Sequence, residues 1–205
     1  MTRFSELMSG QTLLPIIQVD TISQGISIAK AMADAGISLV EVVLRSETSL
    51  EALAAIKKEC PSLLVGAGTI TNSDILQRAI DAGSDFIVTP AVSEKLLSLL
   101  SYCPVPALPG VANTGDVLLA TEFGFDELKF FPASLSGGAK YLSALSSIFQ
   151  PIKFCPTGGI NAENKQDYLT LNNVFAVGGT WVAKPDWVAE GNWQAITDSC
   201  KDALA

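Results

Sequence analysis

Eight short apolar, β-branched runs alternate with helical patterns along this chain of 205 residues. The runs lie at 13–18, 37–45, 63–68, 85–90, 105–110, 127–132, 152–159 and 173–180. Strands at this spacing read as parallel, each joined to the next by a helical crossover. The chain is therefore confined to the α/β class. An open doubly wound sheet would satisfy the alternation, but a closed (β/α)8 TIM barrel fits better, since strand number and length match the small end of that class. Polar or turn-forming residues also stand at many strand C-termini: Arg45, Thr69, Pro90, Lys129, Thr157 and Thr180. A barrel would gather them at one mouth.

No linker or low-complexity stretch interrupts the pattern, so residues 1–205 read as one domain, with "MTRFSELMSG" as a short amphipathic helix before the first strand. Thr48 with Glu51, and Thr71 with Asp74, have the spacing of helix N-terminal boxes. Further helices are expected from about Ser93, from Asn113 to Gly124, from Gly138, from Asn161 and from Trp193 to Ala203. "ADAGI" and "IDAGS" recur at helix-to-strand junctions, where glycine takes the left-handed conformation that stops a helix.

Several classes of function are disfavoured. A net charge of −8 without a basic cluster argues against nucleic acid as a partner. No apolar run approaches the ~18 residues of a membrane span, and the N-terminus lacks the apolar core of a signal peptide. Cys60, Cys103, Cys155 and Cys200 are scattered, as expected of reduced thiols in a cytoplasmic protein. There is no histidine, which removes the commonest general base and most zinc sites. "GAGTIT" carries Thr71 where a dinucleotide fingerprint needs glycine, and "GGAK" is followed by Tyr141 where a P-loop needs Ser or Thr. Neither a metal nor a cofactor is expected.

The polar residue that stands out is Lys129, inside the apolar run "ELKFFP". Side chains alternate across a strand, so Lys129 and Phe131 share one face while Leu128 and Phe130 suit the layer under the helices. By the same parity Glu41 and Arg45 face inward on the second strand. The pattern alone admits a structural Lys129–Glu41 ion pair, or a lysine snorkelling to the rim. It also admits a nucleophile, because an amine in a dry site near a second cation such as Arg45 loses its proton more readily than in water. Such an amine condenses with a ketone to form a Schiff base, and Glu41 is the carboxylate of matching parity to move protons. "PTGGI" and "VGGTW" place glycine pairs after the seventh and eighth strands, the usual phosphate site of this fold.

"EVVLRSE", "GAGTI", "IVTPA", "PALPGV", "KFFPA", "FCPTGGI" and "VGGTW" occur in order across nearly the whole chain. Together they resemble the 2-keto-3-deoxy-6-phosphogluconate (KDPG) and KHG/KDPG aldolases. The resemblance implies a metal-independent, homotrimeric class I aldolase of carbohydrate metabolism, in the Entner–Doudoroff pathway, yielding pyruvate and D-glyceraldehyde 3-phosphate. It implies Lys129 as the Schiff-base lysine and Glu41 as the proton-transferring carboxylate. Arg45 and Thr69 would hold the pyruvyl carboxylate, Pro90 and Phe131 would wall its pocket, and Thr157 would contact the substrate chain. Gly158, Gly159, Gly178, Gly179 and Thr180 would bind the phosphate. Thr180 replaces a common serine, and "GVANTGD" departs from the usual loop after the fifth strand. Arg45 favours this branch over the related phosphogalactonate aldolases. A phosphosugar isomerase or a ligand sensor on the same fold would form no covalent adduct with pyruvate. Cleavage of 4-hydroxy-2-oxoglutarate to pyruvate and glyoxylate is a second activity left open.

Overall fold

A computed structural model describes residues 3–204 and keeps the expected alternation. The chain opens with α1 (Phe4–Met8), β1 (Leu13–Ile17), α2 (Ile22–Asp34), β2 (Leu39–Val43), α3 (Glu47–Glu59) and β3 (Leu64–Gly68). It continues through α4 (Ser73–Asp81), β4 (Ile87–Val88), α5 (Glu94–Ser101), β5 (Ala107–Leu108), β6 (Gly110–Val111) and α6 (Thr114–Glu122). Then come β7 (Glu127–Phe130), α7 (Gly138–Leu145), β8 (Lys153–Pro156), α8 (Lys165–Leu169), β9 (Val177–Gly179), α9 (Pro185–Glu190) and α10 (Trp193–Leu204). Among the described residues no helix is long and apolar enough to cross a membrane.

Every strand pair is parallel, which confirms the α/β class. The strands form two curled sheets, one in the order β5-β4-β3-β2-β1-β9 and one in the order β6-β7-β8. The expected fifth strand is split, since Pro109 stands between β5 and β6 and has no N–H for the ladder. Around this break the Thr89 hydroxyl accepts from Gly110 N–H and donates to the Ala91 carbonyl. Beyond β8, single parallel bridges join Phe154 to Val174 and Thr157 to Gly178.

Strand alternation divides two cores. Val40, Val42, Leu128 and Phe130 pack outward under the helices, where the Phe130 ring stacks on Tyr141 of α7 at 5.7 Å between centroids. The concave face is filled by Leu39, Phe86, Val88, Leu108 and Cys155, closed from below by Phe4 and Met8 of α1. Burying those two side chains contributes about 1.5–3 kcal/mol each. Glu127, at the start of β7, fixes α1 by accepting from the Ser5 N–H and hydroxyl.

Three helix starts differ from the sequence expectation. Ser46, not Thr48, caps α3 by accepting from Ser49 N–H, and Asn72, not Thr71, caps α4 by accepting from Ile75 N–H. In these two cases a polar residue two positions earlier or one position later reaches the free amides. At Asn161 the chain makes side-chain-bonded turns through Asn164, and α8 begins only at Lys165.

Candidate active site

Lys129 and Glu41 come from different sheets and different chain halves, yet their side chains meet. Lys129 Nζ donates to Glu41 Oε1 at 3.2 Å, and both side chains are almost wholly buried, 7% and 2% exposed. The ammonium also lies 5.3 Å from the centroid of the Phe131 ring, whose face attracts a cation. Glu41 Oε2 is buried and has no hydrogen-bond partner among the described residues. A buried carboxylate oxygen left without a donor is costly, and calls for a reason beyond folding.

The pair lies at the wall of a cavity of about 300 Å3. Arg45, Thr69, Pro90, Phe131 and Thr157 line the same cavity, as do Gly158, Gly159, Gly179 and Thr180. Gly178 stands behind this wall: it pairs with Leu14 and bridges to Thr157, and a side chain there would strike the Thr157 hydroxyl. The ends of strands from both sheets thus deliver the expected residues to one place. Sequence reasoning passed over Ile16, Gln18 and Val43, which also line it. Gln18 follows β1 directly, so the strand-end rule that singled out Arg45 and Thr69 would have found it.

Arg45 is exposed, and no carboxylate lies within ion-pair distance of it among the described residues. A guanidinium with its fork open suits a carboxylate ligand held by two parallel hydrogen bonds. Thr69 has φ +65°, a left-handed backbone that a β-branched residue rarely adopts. Such outliers cost about 1–3 kcal/mol and collect at ligand sites. Gly158 and Gly159 have φ +95° and +76°, so this turn needs glycine, and the Asn164 amide holds it by donating to the Gly159 carbonyl. Cys155 pairs with Lys129 in the β7–β8 register, but complete burial pushes its thiol up to about 12, against a smaller opposing effect of the Lys129 charge. A thiol in that state is no nucleophile at neutral pH.

Comparison with known proteins agrees with this geometry. The family model for KDPG and KHG aldolase matches residues 4–199. The KHG/KDPG aldolase of Escherichia coli is 35% identical over 203 residues, covering 99% of this chain and 95% of that protein. A crystal structure of KDPG aldolase from Legionella pneumophila, with pyruvate captured at low pH as a covalent carbinolamine intermediate, is 32% identical with a TM-score of 0.96. It covers 100% of this chain and 99% of its own. The aldolase of Zymomonas mobilis with 3-phosphoglycerate is 38% identical with a TM-score of 0.89, covering 98% of this chain and 94% of its own. A match of this length and identity settles the relationship: the chain belongs to the KDPG and KHG aldolase family.

Proposed function

We propose that this protein is a class I aldolase that cleaves 2-keto-3-deoxy-6-phosphogluconate to pyruvate and D-glyceraldehyde 3-phosphate, with Lys129 as its nucleophile. The observation that carries the reading is the buried Lys129–Glu41 pair at the wall of a cavity that the open Arg45 guanidinium also lines. The Lys129 amine adds to the C2 ketone, and loss of water gives an iminium. Glu41 takes the proton of the C4 hydroxyl, the C3–C4 bond breaks, and its electron pair moves into the iminium to give an enamine. The aldehyde departs, the enamine is protonated at C3, and water returns free amine and pyruvate.

Arg45 and the Thr69 region hold the pyruvyl carboxylate, and Pro90 and Phe131 wall the pyruvate pocket. Thr157 contacts the chain beyond, while the turns at Gly158–Gly159 and Gly179–Thr180 receive the phosphate, with Gly178 supporting Thr157. The E. coli relative's double name supports 4-hydroxy-2-oxoglutarate as a second substrate. We also read the two sheets as one eight-fold (β/α)8 barrel. Its support is that β5 and β6 flank a single proline, while two bridges carry β8 toward β9.

The test is borohydride reduction in the presence of pyruvate, followed by peptide mass mapping. A stable adduct on Lys129 is expected, and Lys129→Met should abolish both adduct and turnover. Glu41→Gln should slow turnover by about 10²–10⁴-fold. A folded, pyruvate-binding protein that gives no adduct would end this reading.

A further inference from the structure

Position 68 has no side chain, and that gap is occupied by Glu41. A Cβ built on Gly68 would come within 2.7 Å of Glu41 Cδ and 2.8 Å of its Cγ, and closer still to Oε1, the oxygen that accepts from Lys129. Real Cβ atoms do not approach other atoms that closely, so a side chain here must move the carboxylate. The gap is specific in its use. Two residues earlier on β3, Gly66 makes a second gap, and the Phe86 ring fills it. The inward face of β3 thus reads Leu64, Gly66, Gly68, with one opening for the apolar floor and one for the carboxylate. Gly68 pairs with Val43 in the β2–β3 register, one inward position above Glu41, so the Glu41 side chain leans along its own strand into this slot.

Two further observations point the same way. Oε1 is committed between Gly68 and Lys129, while Oε2 is buried with no partner among the described residues. The next residue, Thr69, is turned into the left-handed region and lines the cavity. We propose that Gly68 is a positioning residue for the aldolase reaction. Its missing side chain makes room for the Glu41 carboxylate, so that Oε1 holds the lysine at the cavity wall. The proposal rests on the function given above. It assigns Gly68 no contact with substrate; its effect passes through Glu41 alone.

Dependence on Glu41 can be tested by making the Gly68 change in two backgrounds. Gly68→Ala should fold, because the least expensive relief is rotation of the Glu41 side chain, but the rotation carries Oε1 away from Nζ. A displacement of about 1 Å in a catalytic group costs on the order of 10²-fold in rate, so kcat should fall by about that factor. KM for the sugar acid should change little. In a Glu41→Ala background the same Gly68→Ala change should leave the residual turnover within about twofold, since no carboxylate remains to misplace. An equal loss in both backgrounds would mean a structural role and overturn the proposal. So would an unchanged kcat for Gly68→Ala alone. Should Gly68→Ala fail to fold, the double variant decides: folding restored by Glu41→Ala locates the conflict at the carboxylate, and folding not restored refutes it. Pyruvate trapping on the wild-type protein separates the two levels. If the wild type gives no Lys129 adduct the aldolase reading itself fails, whereas an adduct with an indifferent Gly68 removes only the positioning role.

Discussion

Removing Lys129 should destabilise the protein more than any loss of packing explains, and removing Glu41 as well should restore much of that loss. At 3.2 Å the two charges attract with about 5 kcal/mol at an effective dielectric of ~20. Desolvating both charges offsets much of this, so the intact pair contributes little net stability. Lys129→Met removes the attraction but keeps the burial of Glu41, whose Oε1 would join Oε2 without a donor. The expected cost of an orphaned buried charge is about 3–5 kcal/mol. For a chain of this size that lowers Tm by roughly 6–20 °C. Lys129→Met/Glu41→Leu replaces both charges by apolar groups and should come back to within about 1–2 kcal/mol of wild type. Urea unfolding followed by circular dichroism, at one protein concentration and without pyruvate, measures all three proteins. A Lys129→Met variant as stable as wild type, or a double variant no better than the single, would refute the reasoning.

Arg45→Ala should lower kcat/KM by about 10–10²-fold, the loss of one charged hydrogen-bonded anchor. Its Tm should stay near wild type, because Arg45 is exposed and makes no ion pair among the described residues. Steady-state kinetics alongside a thermal melt separates the two effects. Alkali should weaken the fold through its buried thiols. Burial pushes both Cys155 and Cys200 up from 9.0 to about 12. The unfolded chain therefore releases these protons first, so their contribution is intact below pH 9 and is lost as pH rises toward 12. At pH 10 the loss is about 1 kcal/mol for each thiol. Cys155→Ala/Cys200→Ala should lose correspondingly less stability than wild type between pH 8 and pH 10 in urea titrations, and an equal loss would contradict the assignment.

Alternation of strand and helix was legible because each βα unit repeats the same demand, a buried strand followed by an amphipathic helix. Parity within strands was equally firm: Lys129 and Glu41 do face inward, and Leu128 and Phe130 do pack under the helices. The starts at Ser93 and Asn113 were legible, but two cap positions were not. "RSETS" and "TNSD" each offer several side chains able to accept from a free amide, and only the approach of the backbone chooses Ser46 and Asn72. The fifth strand was read as continuous because its composition is apolar, whereas the lost N–H of Pro109 divides it. Short α9 has no sequence signal of its own, since none of its residues is fully buried and only Trp187 and Val188 pack against the core. Lys165 was passed over for the opposite reason: its side chain is buried, but it donates to the carbonyls of Asp202 and Ala203 far along the chain, at the end of α10. Gly68 was read only as part of a motif, because a slot exists only relative to the carboxylate that fills it.

The helix that closes the concave face from below gives the strands a dry end and a reactive end. Phe4 and Met8, held by the bond from Ser5 to Glu127, belong to an apolar cluster that shares no residue with the cavity that Lys129 lines. On the proposed reaction, the pyruvyl fragment stays bonded to Lys129 after the aldehyde is freed. Departure is then sequential, aldehyde before pyruvate, and in the direction of synthesis pyruvate must enter first. The bond to Lys129 thus sets the order of events in a turnover, while a five-residue helix keeps the other end of the strands dry.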